Sequence, residues 1–492
     1  MSQQNIDVSL DADWNHLFID GEWESPDRDP IDVSNPATGE TIATIPAATE
    51  TDVDRAYDAA VTAQPAWAET PPQERAQVVQ RAIGLIHEHE DELVQTVVAE
   101  TGGTLLKAGL EVGQLTPGIM AEAASFPLRS QGTTADSVIS GKENVVVREP
   151  KGVVGIITPW NFPVNLSMRA IAPAIALGNT VVLKPSEETP IAGGFLHARL
   201  FEAAGLPPGV LNVVSGYGAE AGARVAEHPD LDVLSFTGST EVGRKVAQAA
   251  ARNLALPTLE LGGNNAHVVL EDADLDLAVD AGTFGSFVHQ GQVCISINRH
   301  LVHENLYDEY VERLASRAAG LTVGDPSDPA TDVGPVINEA QRDKMVRYVE
   351  DSVAAGATIE AGGGYDGLFV EPTVLSGMTN DMAAACNEHF GPIVPVIPFG
   401  DDEEAVALAN DSDYGLSGSV HSTDVERARS VARRMETGMV HVNDQPINDE
   451  PHVPFGGVKG SGLGRYNGES ILREFTREKW ISIQHEPREY PL

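Results

Sequence analysis

From Gly152 to Leu261 the chain repeats one pattern, a short β-rich apolar run followed by a helical stretch. The runs fall at residues 153–157, 180–183, 210–214, 233–236 and, less purely, 258–261, with helices predicted over 164–177 and 241–252. Strands apolar on both faces and separated by crossover helices specify a parallel sheet covered on both sides. Such a sheet takes its ligand outside the carboxyl ends of its strands. The residues following each run are therefore where chemistry is expected.

Thr158-Pro159-Trp160-Asn161-Phe162-Pro163 follows the first run and fixes an Asn amide between prolines. That amide can donate to a developing oxyanion or simply cap a turn. Lys184-Pro185-Ser186-Glu187 follows the second run, where a Rossmann-like site expects an acidic residue for a ribose diol. A G-x-G-x-x-G is absent: Gly216-Tyr217-Gly218 with Gly222 has one residue too many. Phe236-Thr237-Gly238-Ser239-Thr240 reads as strand end into helix start, a place for an anion or for an ordinary N-cap.

The stretch 258–299 carries one carboxylate against a glycine pair, Glu260-Leu261-Gly262-Gly263, and one thiol, Gly291-Gln292-Val293-Cys294. Between them a strand is expected at 266–270, then a helix capped by Asp272 with Leu277, Ala281, Phe284 and Val288 on its apolar face. A thiol and a carboxylate so linked suit covalent catalysis, the thiolate attacking and the carboxylate later activating water. A lone Cys is also commonly a small buried hydrophobe, which is the reading given to Cys386.

At 492 residues the chain is long enough for about three domains. No apolar run reaches membrane-spanning length and the polar N-terminus is neither signal nor transit peptide. Two cysteines give neither a disulfide framework nor metal-ligand spacing, so no metal and a cytoplasmic location are expected. The net charge of −41 is spread along the chain. An acidic, lysine-poor surface suits a salt-rich, halophilic cytosol and disfavours nucleic acid.

The N-terminal part reads as scaffold. A strand and tight turn are expected at 17–23, a capping box at Thr51 and Asp54 for a helix to about Val61, and a helix opened by Pro71-Pro72 and stopped by Gly102-Gly103. Residues 129–149 read as an arm to a partner subunit or a surface hairpin, and Trp480-Ile481-Ser482-Ile483-Gln484 as an edge strand.

With these stretches, Glu388-His389-Phe390-Gly391-Pro392 and Pro454-Phe455-Gly456-Gly457-Val458-Lys459-Gly460-Ser461-Gly462 give the chain a resemblance to the NAD(P)-dependent aldehyde dehydrogenase superfamily, nearly end to end. The resemblance implies an α/β fold: a Rossmann-like parallel-sheet NAD-binding domain (1–128 and 150–259), an α/β catalytic domain (260–465) and a small β oligomerisation arm (129–149 and 466–492). It implies a homodimer or homotetramer. It makes Cys294 the nucleophile, Asn161 the oxyanion donor and Glu260 the general base, forming a thiohemiacetal and then a thioester from an aldehyde. Lys184 and Glu187 become adenosine-ribose contacts, Ser239 and Trp160 pyrophosphate-side contacts, and Glu388 and Phe390 nicotinamide-ribose contacts. Thr158, Gly218, Gly238 and Leu261 complete the cofactor set. Glu187 would repel a 2′-phosphate, so NAD is expected over NADP, which stays possible.

Where the family most often has Lys after Gly263, this chain has Asn264-Asn265-Ala266. With His289-Gln290-Gly291-Gln292 and Leu166-Ser167-Met168-Arg169 this resembles the benzaldehyde/vanillin-type branch, with Phe162 and Phe455 as pocket walls. Arg169 leaves a semialdehyde open instead, that of succinate or 2-oxoglutarate, because it can hold a distal carboxylate; a salt bridge is its other reading. A catalytically idle structural relative is the non-enzyme alternative.

Overall fold

A computed structural model describes residues 6–28, 30–129 and 132–491 of the protein. Residues 1–5 of the polar N-terminus, and 130 and 131 of the expected arm, lie outside the described residues.

Five strands form the parallel centre of an eight-stranded sheet, in the order Leu211–Val213, Thr180–Lys184, Val153–Ile157, Val233–Thr237, Leu256–Glu260. Their apolar runs are continuous because both faces are covered. Val154, Ile156, Val181 and Leu183 enter one core, while Val153, Ile157 and Val182 enter the other. The first run, Val153–Ile157, lies between the second and the fourth. Strand order reverses there, and a cleft opens at the carboxyl ends. Leu17–Ile19 and Glu22–Glu24 add antiparallel strands at one edge, and Gly462–Leu463 pairs antiparallel with Leu256–Glu260 at the other.

A second, seven-stranded sheet contains Asn265–Val269 between Ile297–His303 and Gly418–His421, all parallel. A third joins Thr476–Gln484, Lys142–Pro150 and Thr133–Asp136, all antiparallel and within one chain. Its outer strand exposes Trp480, Ile481 and Ile483. The α/β architecture expected above is the one observed. Among the described residues no helix is long and apolar enough to cross a membrane.

Several local expectations are corrected. The capping box is Thr49 with Asp52, not Thr51 with Asp54. Asp52 is held there by Arg28 at 2.5 Å. That helix runs over Glu50–Glu69, well past Val61, because Trp67 is buried and donates to Ile175 O at 3.0 Å. The helix begun at Pro72 ends at Glu88, and a second, Glu90–Thr101, reaches the left-handed Gly102. Asp274, not Asp272, caps the helix Leu275–Phe287. Asp272 instead receives Ser422, Thr423 and Arg427. The expected face holds only in part: Ala281 is buried, but Leu277 and Phe284 are 44% and 40% exposed. Alanines and glycines face inward, since a Cβ on Gly282 would lie 2.4 Å from the Tyr310 hydroxyl and one on Gly285 2.6 Å from Ile297. The helix packs too closely for large residues on that face.

Candidate active site

Two cavities meet at Cys294, Asn161 and Leu166, which line both. One, of about 620 Å³, runs along the strand ends past Trp160, Gly238, Ser239, Glu260, Leu261, Lys344, Glu388 and Phe390. The other, of about 460 Å³, is walled by Leu115, Phe162, Val293, Ile295, Ile447 and Phe455, with Asn165, Arg169 and Asp449 as its other polar side chains.

Cys294 is half-buried on a loop held in a strained shape. His289, Gln290 and Gly291 have φ of 51°, 57° and 68°, the first two costly for residues with a Cβ. Side chains fix the loop. Gln290 Nε2 donates to Gly102 O at 2.7 Å and Pro335 O at 2.9 Å, and Gln292 Oε1 accepts from Ile337 N at 3.0 Å. Asn265 Nδ2 donates to Cys294 O at 2.9 Å and Ser296 O at 2.6 Å, while its Oδ1 accepts from Ser417 N at 2.9 Å. Burial pushes the Cys294 thiol up to about 12, with Glu260, Glu388 and Asp449 adding to the rise and Arg169 opposing it.

Asn161 is buried, and its Nδ2 donates to Gln292 O at 2.9 Å, tying the amide to the nucleophile loop. Glu260 ends the strand Leu256–Glu260, and its carbonyl accepts from Gly238 N at 3.0 Å. Its side chain is only 2% exposed, and neither carboxyl oxygen has a partner among the described residues. Burial raises its pKa well above the usual carboxylate range; Arg169 and Arg465 oppose the rise and Asp449 adds to it. Gly456 flanks it, since a Cβ there would lie 2.7 Å from Oε1.

On the strand-end side, Ser239 caps the helix Thr240–Arg252, and Trp160 stands edge-on to Phe390 at 5.4 Å. Glu388 accepts from Gly263 N at 2.9 Å. Lys184 donates to Glu187 at 2.9 Å. Burial alone would raise the Glu187 pKa, but Lys184 and the Gly218 N–H outweigh it and hold the carboxyl low. Lys184, Glu187 and Gly218 stand apart from the lining of the cavity, and Thr158 turns inward to Ser167 at 3.0 Å.

Phe162 lies under Lys107 Nζ at 4.5 Å and edge-on to His289 at 5.5 Å. Lys107 pairs with Glu111 at 2.5 Å with both side chains buried. Glu111 caps the start of the helix Pro163–Ala176, accepting from Val164 N at 2.8 Å and Asn165 N at 3.1 Å. Arg169 is paired with Asp449 and stacks over Phe455 at 4.2 Å. The salt-bridge reading of Arg169 is thus the one observed. Sequence reasoning read Asn265 only as a mark of the branch and missed Asp449, Lys344 and Asn165. Only Asn165 had a signal, four residues from both Asn161 and Arg169. Among the described residues no group of His, Cys, Asp and Glu could hold a metal.

A parallel-sheet cleft at the strand ends, lined by a helix start, a buried carboxylate and a thiol, defines an α/β enzyme of the dinucleotide-binding type. The sequence pattern of the Aldehyde dehydrogenase family matches residues 23–481, and the chain belongs to that family. It is 48% identical over 478 residues to a benzaldehyde dehydrogenase of Bacillus subtilis (strain 168), covering 97% of this chain and 98% of that one. It is 46% identical over 472 residues to a vanillin dehydrogenase of Corynebacterium glutamicum, covering 95% and 97%. The structure is similar to betaine aldehyde dehydrogenase of Staphylococcus aureus in complex with NAD+, with a TM-score of 0.95 and 36% identity over 98% of this chain and 97% of that one.

Proposed function

We propose that the protein oxidises an aromatic aldehyde of the benzaldehyde type to its carboxylic acid, with NAD as acceptor. The observation that carries this is the convergence of Cys294, Asn161 and Glu260 near the meeting of an apolar cavity and a strand-end groove. The benzaldehyde and vanillin dehydrogenases among its relatives support the aromatic class.

The groove's donor set fits a dinucleotide. The Ser239 helix start suits a pyrophosphate, and Glu187, beyond the cavity lining, suits ribose hydroxyls. Gly262 keeps the floor open, because a Cβ there would lie 2.4 Å from the Glu388 carboxyl. Bound there, NAD would supply the hydride acceptor needed for the Cys294 thiohemiacetal to become a thioester. The thiolate of Cys294 first adds to the carbonyl carbon, and the carbonyl electron pair moves onto oxygen. Asn161 has a second N–H for that oxyanion. Glu260 then takes a proton from water as the water oxygen attacks the thioester carbon and Cys294 leaves as thiolate. Its desolvated carboxylate makes it a stronger base once ionised. Arg169 is neutralised by Asp449, which argues against a carboxylated semialdehyde. We assign the NAD-binding, catalytic and arm segments as the resemblance implies, the exposed strand Thr476–Gln484 serving a homodimer or homotetramer.

The test is NADH formation in concentrated KCl from benzaldehyde, a medium-chain aliphatic aldehyde and succinic semialdehyde, with Cys294→Ala as control. Benzaldehyde turnover lost in Cys294→Ala supports the reading. Preference for succinic semialdehyde overturns its substrate, and no reduction of NAD or NADP overturns the activity. Glu260→Gln should give a single burst of NADH without steady turnover, since only thioester hydrolysis needs the base.

A further inference from the structure

Beside the paired Arg169 and Asp449, the apolar cavity holds a polar side chain that the reaction above leaves unused. Asn165 is 2% exposed and lines the cavity beside Phe162 and Phe455, yet its Oδ1 has no hydrogen-bond partner among the described residues. Its backbone is pinned, because Asn165 N donates to the buried Glu111 carboxylate at 3.1 Å. Glu111 is itself engaged by Lys107 and Val164 N. The carboxamide also sits one helical turn from Arg169, on the same face of the helix Pro163–Ala176.

A buried amide oxygen without a donor is destabilising. A cavity built only to exclude water around an apolar ring would place an aliphatic side chain there. The neighbouring charges make no bond to the amide: Arg169 pairs with Asp449 through its terminal nitrogen while its Nε is likewise without a partner among the described residues, and Asp449 also accepts from Asn467 Nδ2 at 2.7 Å. The amide oxygen is left for a donor that the described residues do not supply. Phe162 and Phe455 line the cavity, and an aromatic substrate carries a donor most simply as a phenolic hydroxyl.

Resting on the aromatic reading above, we propose that Asn165 determines specificity for ring-hydroxylated aromatic aldehydes by accepting a hydrogen bond from the substrate's phenolic O–H. A site that pairs a substrate hydroxyl discriminates strongly against an analogue lacking it, since the protein's buried polar group is then left unpaired.

The experiment compares kcat/KM for benzaldehyde, the three hydroxybenzaldehydes and the three methylbenzaldehydes, below the pH at which the phenols ionise. A methyl group replaces the hydroxyl in bulk but cannot donate. At least one hydroxy isomer should exceed its methyl counterpart by about tenfold or more, chiefly through KM, in keeping with one hydrogen bond to a buried group. In Asn165→Leu that ratio should collapse towards one, whatever happens to overall turnover. Equal treatment of every hydroxy and methyl pair by the native enzyme overturns the proposal, with no variant needed. So does a ratio that survives in Asn165→Leu. Oxidation of the aliphatic aldehyde with no aromatic turnover at all sinks the aromatic reading itself, a result distinct from either.

Discussion

Replacing Arg169 with Leu separates its two possible roles. The side chains of Arg169 and Asp449 are 5% and 8% exposed, so the pair is desolvated. Removing one member of a buried pair strands the other and typically costs about 3–5 kcal/mol. Asp449 keeps the Asn467 amide at 2.7 Å, which puts the expected loss at the low end of that range. Stacking over Phe455 at 4.2 Å adds roughly 0.5–2 kcal/mol. Arg169→Leu should therefore lower the denaturant midpoint strongly, and Arg169→Leu with Asp449→Leu should recover most of the loss, because no buried charge remains. Kinetics gives an independent check. Arg169 opposes the raised pKa of both Glu260 and Cys294, so its removal should move the rising limb of kcat/KM to higher pH. The KM for benzaldehyde and for succinic semialdehyde should change in the same proportion. A selective rise for the semialdehyde, with little loss of stability, would refute the ion-pair argument and restore Arg169 as a carboxylate anchor.

Other outcomes follow from the same geometry. His197, His300 and His389 are buried, and burial pushes their pKa from 6.5 to about 3. The unfolded chain thus binds more protons below pH 6.5, and stability should fall with pH from there down to about 3. Each ring contributes about 1.4 kcal/mol per pH unit, which acid titration of the melting temperature would reveal as a steep loss. Because burial raises Cys294, whose reactive form is the thiolate, kcat/KM should still be climbing above neutral pH; a profile already flat at pH 6 would contradict this. With a net charge of −41, melting temperature should rise between dilute and molar KCl as screening tightens to ~3 Å, and a flat response would count against a halophilic surface. Asn265→Ala should cut kcat about 10- to 100-fold with a smaller change in KM and change the rate of iodoacetamide capture of Cys294. Unaltered alkylation would show that the amide does not position the thiol.

What could be read from the sequence was local, and what could not was long-range or a matter of size. Asn161, Ser239 and Glu260 each follow a strand end within a few residues, so the apolar runs that predict the sheet also place these side chains on one rim of it. The partner of Arg169 lies 280 residues away, and no spacing rule connects Met168-Arg169 to Asn448-Asp449. The helix Leu275–Phe287 shows the second kind of failure. Its residues are apolar nearly all round, so hydropathy favours the face with Leu277 and Phe284, whereas close approach to Tyr310 and Ile297 selects the face of Ala278, Gly282 and Gly285. Packing distance, which the sequence does not state, decided that orientation. Asn165 belongs to neither kind. Its position on the helix follows from Asn161 by counting, but its meaning needed the structure, because an Asn on a helix is unremarked until its oxygen is found buried beside a largely apolar cavity with no donor. An unsatisfied polar atom is a property of the folded surroundings, and it is in such atoms that a shared scaffold records which substrate it was shaped for.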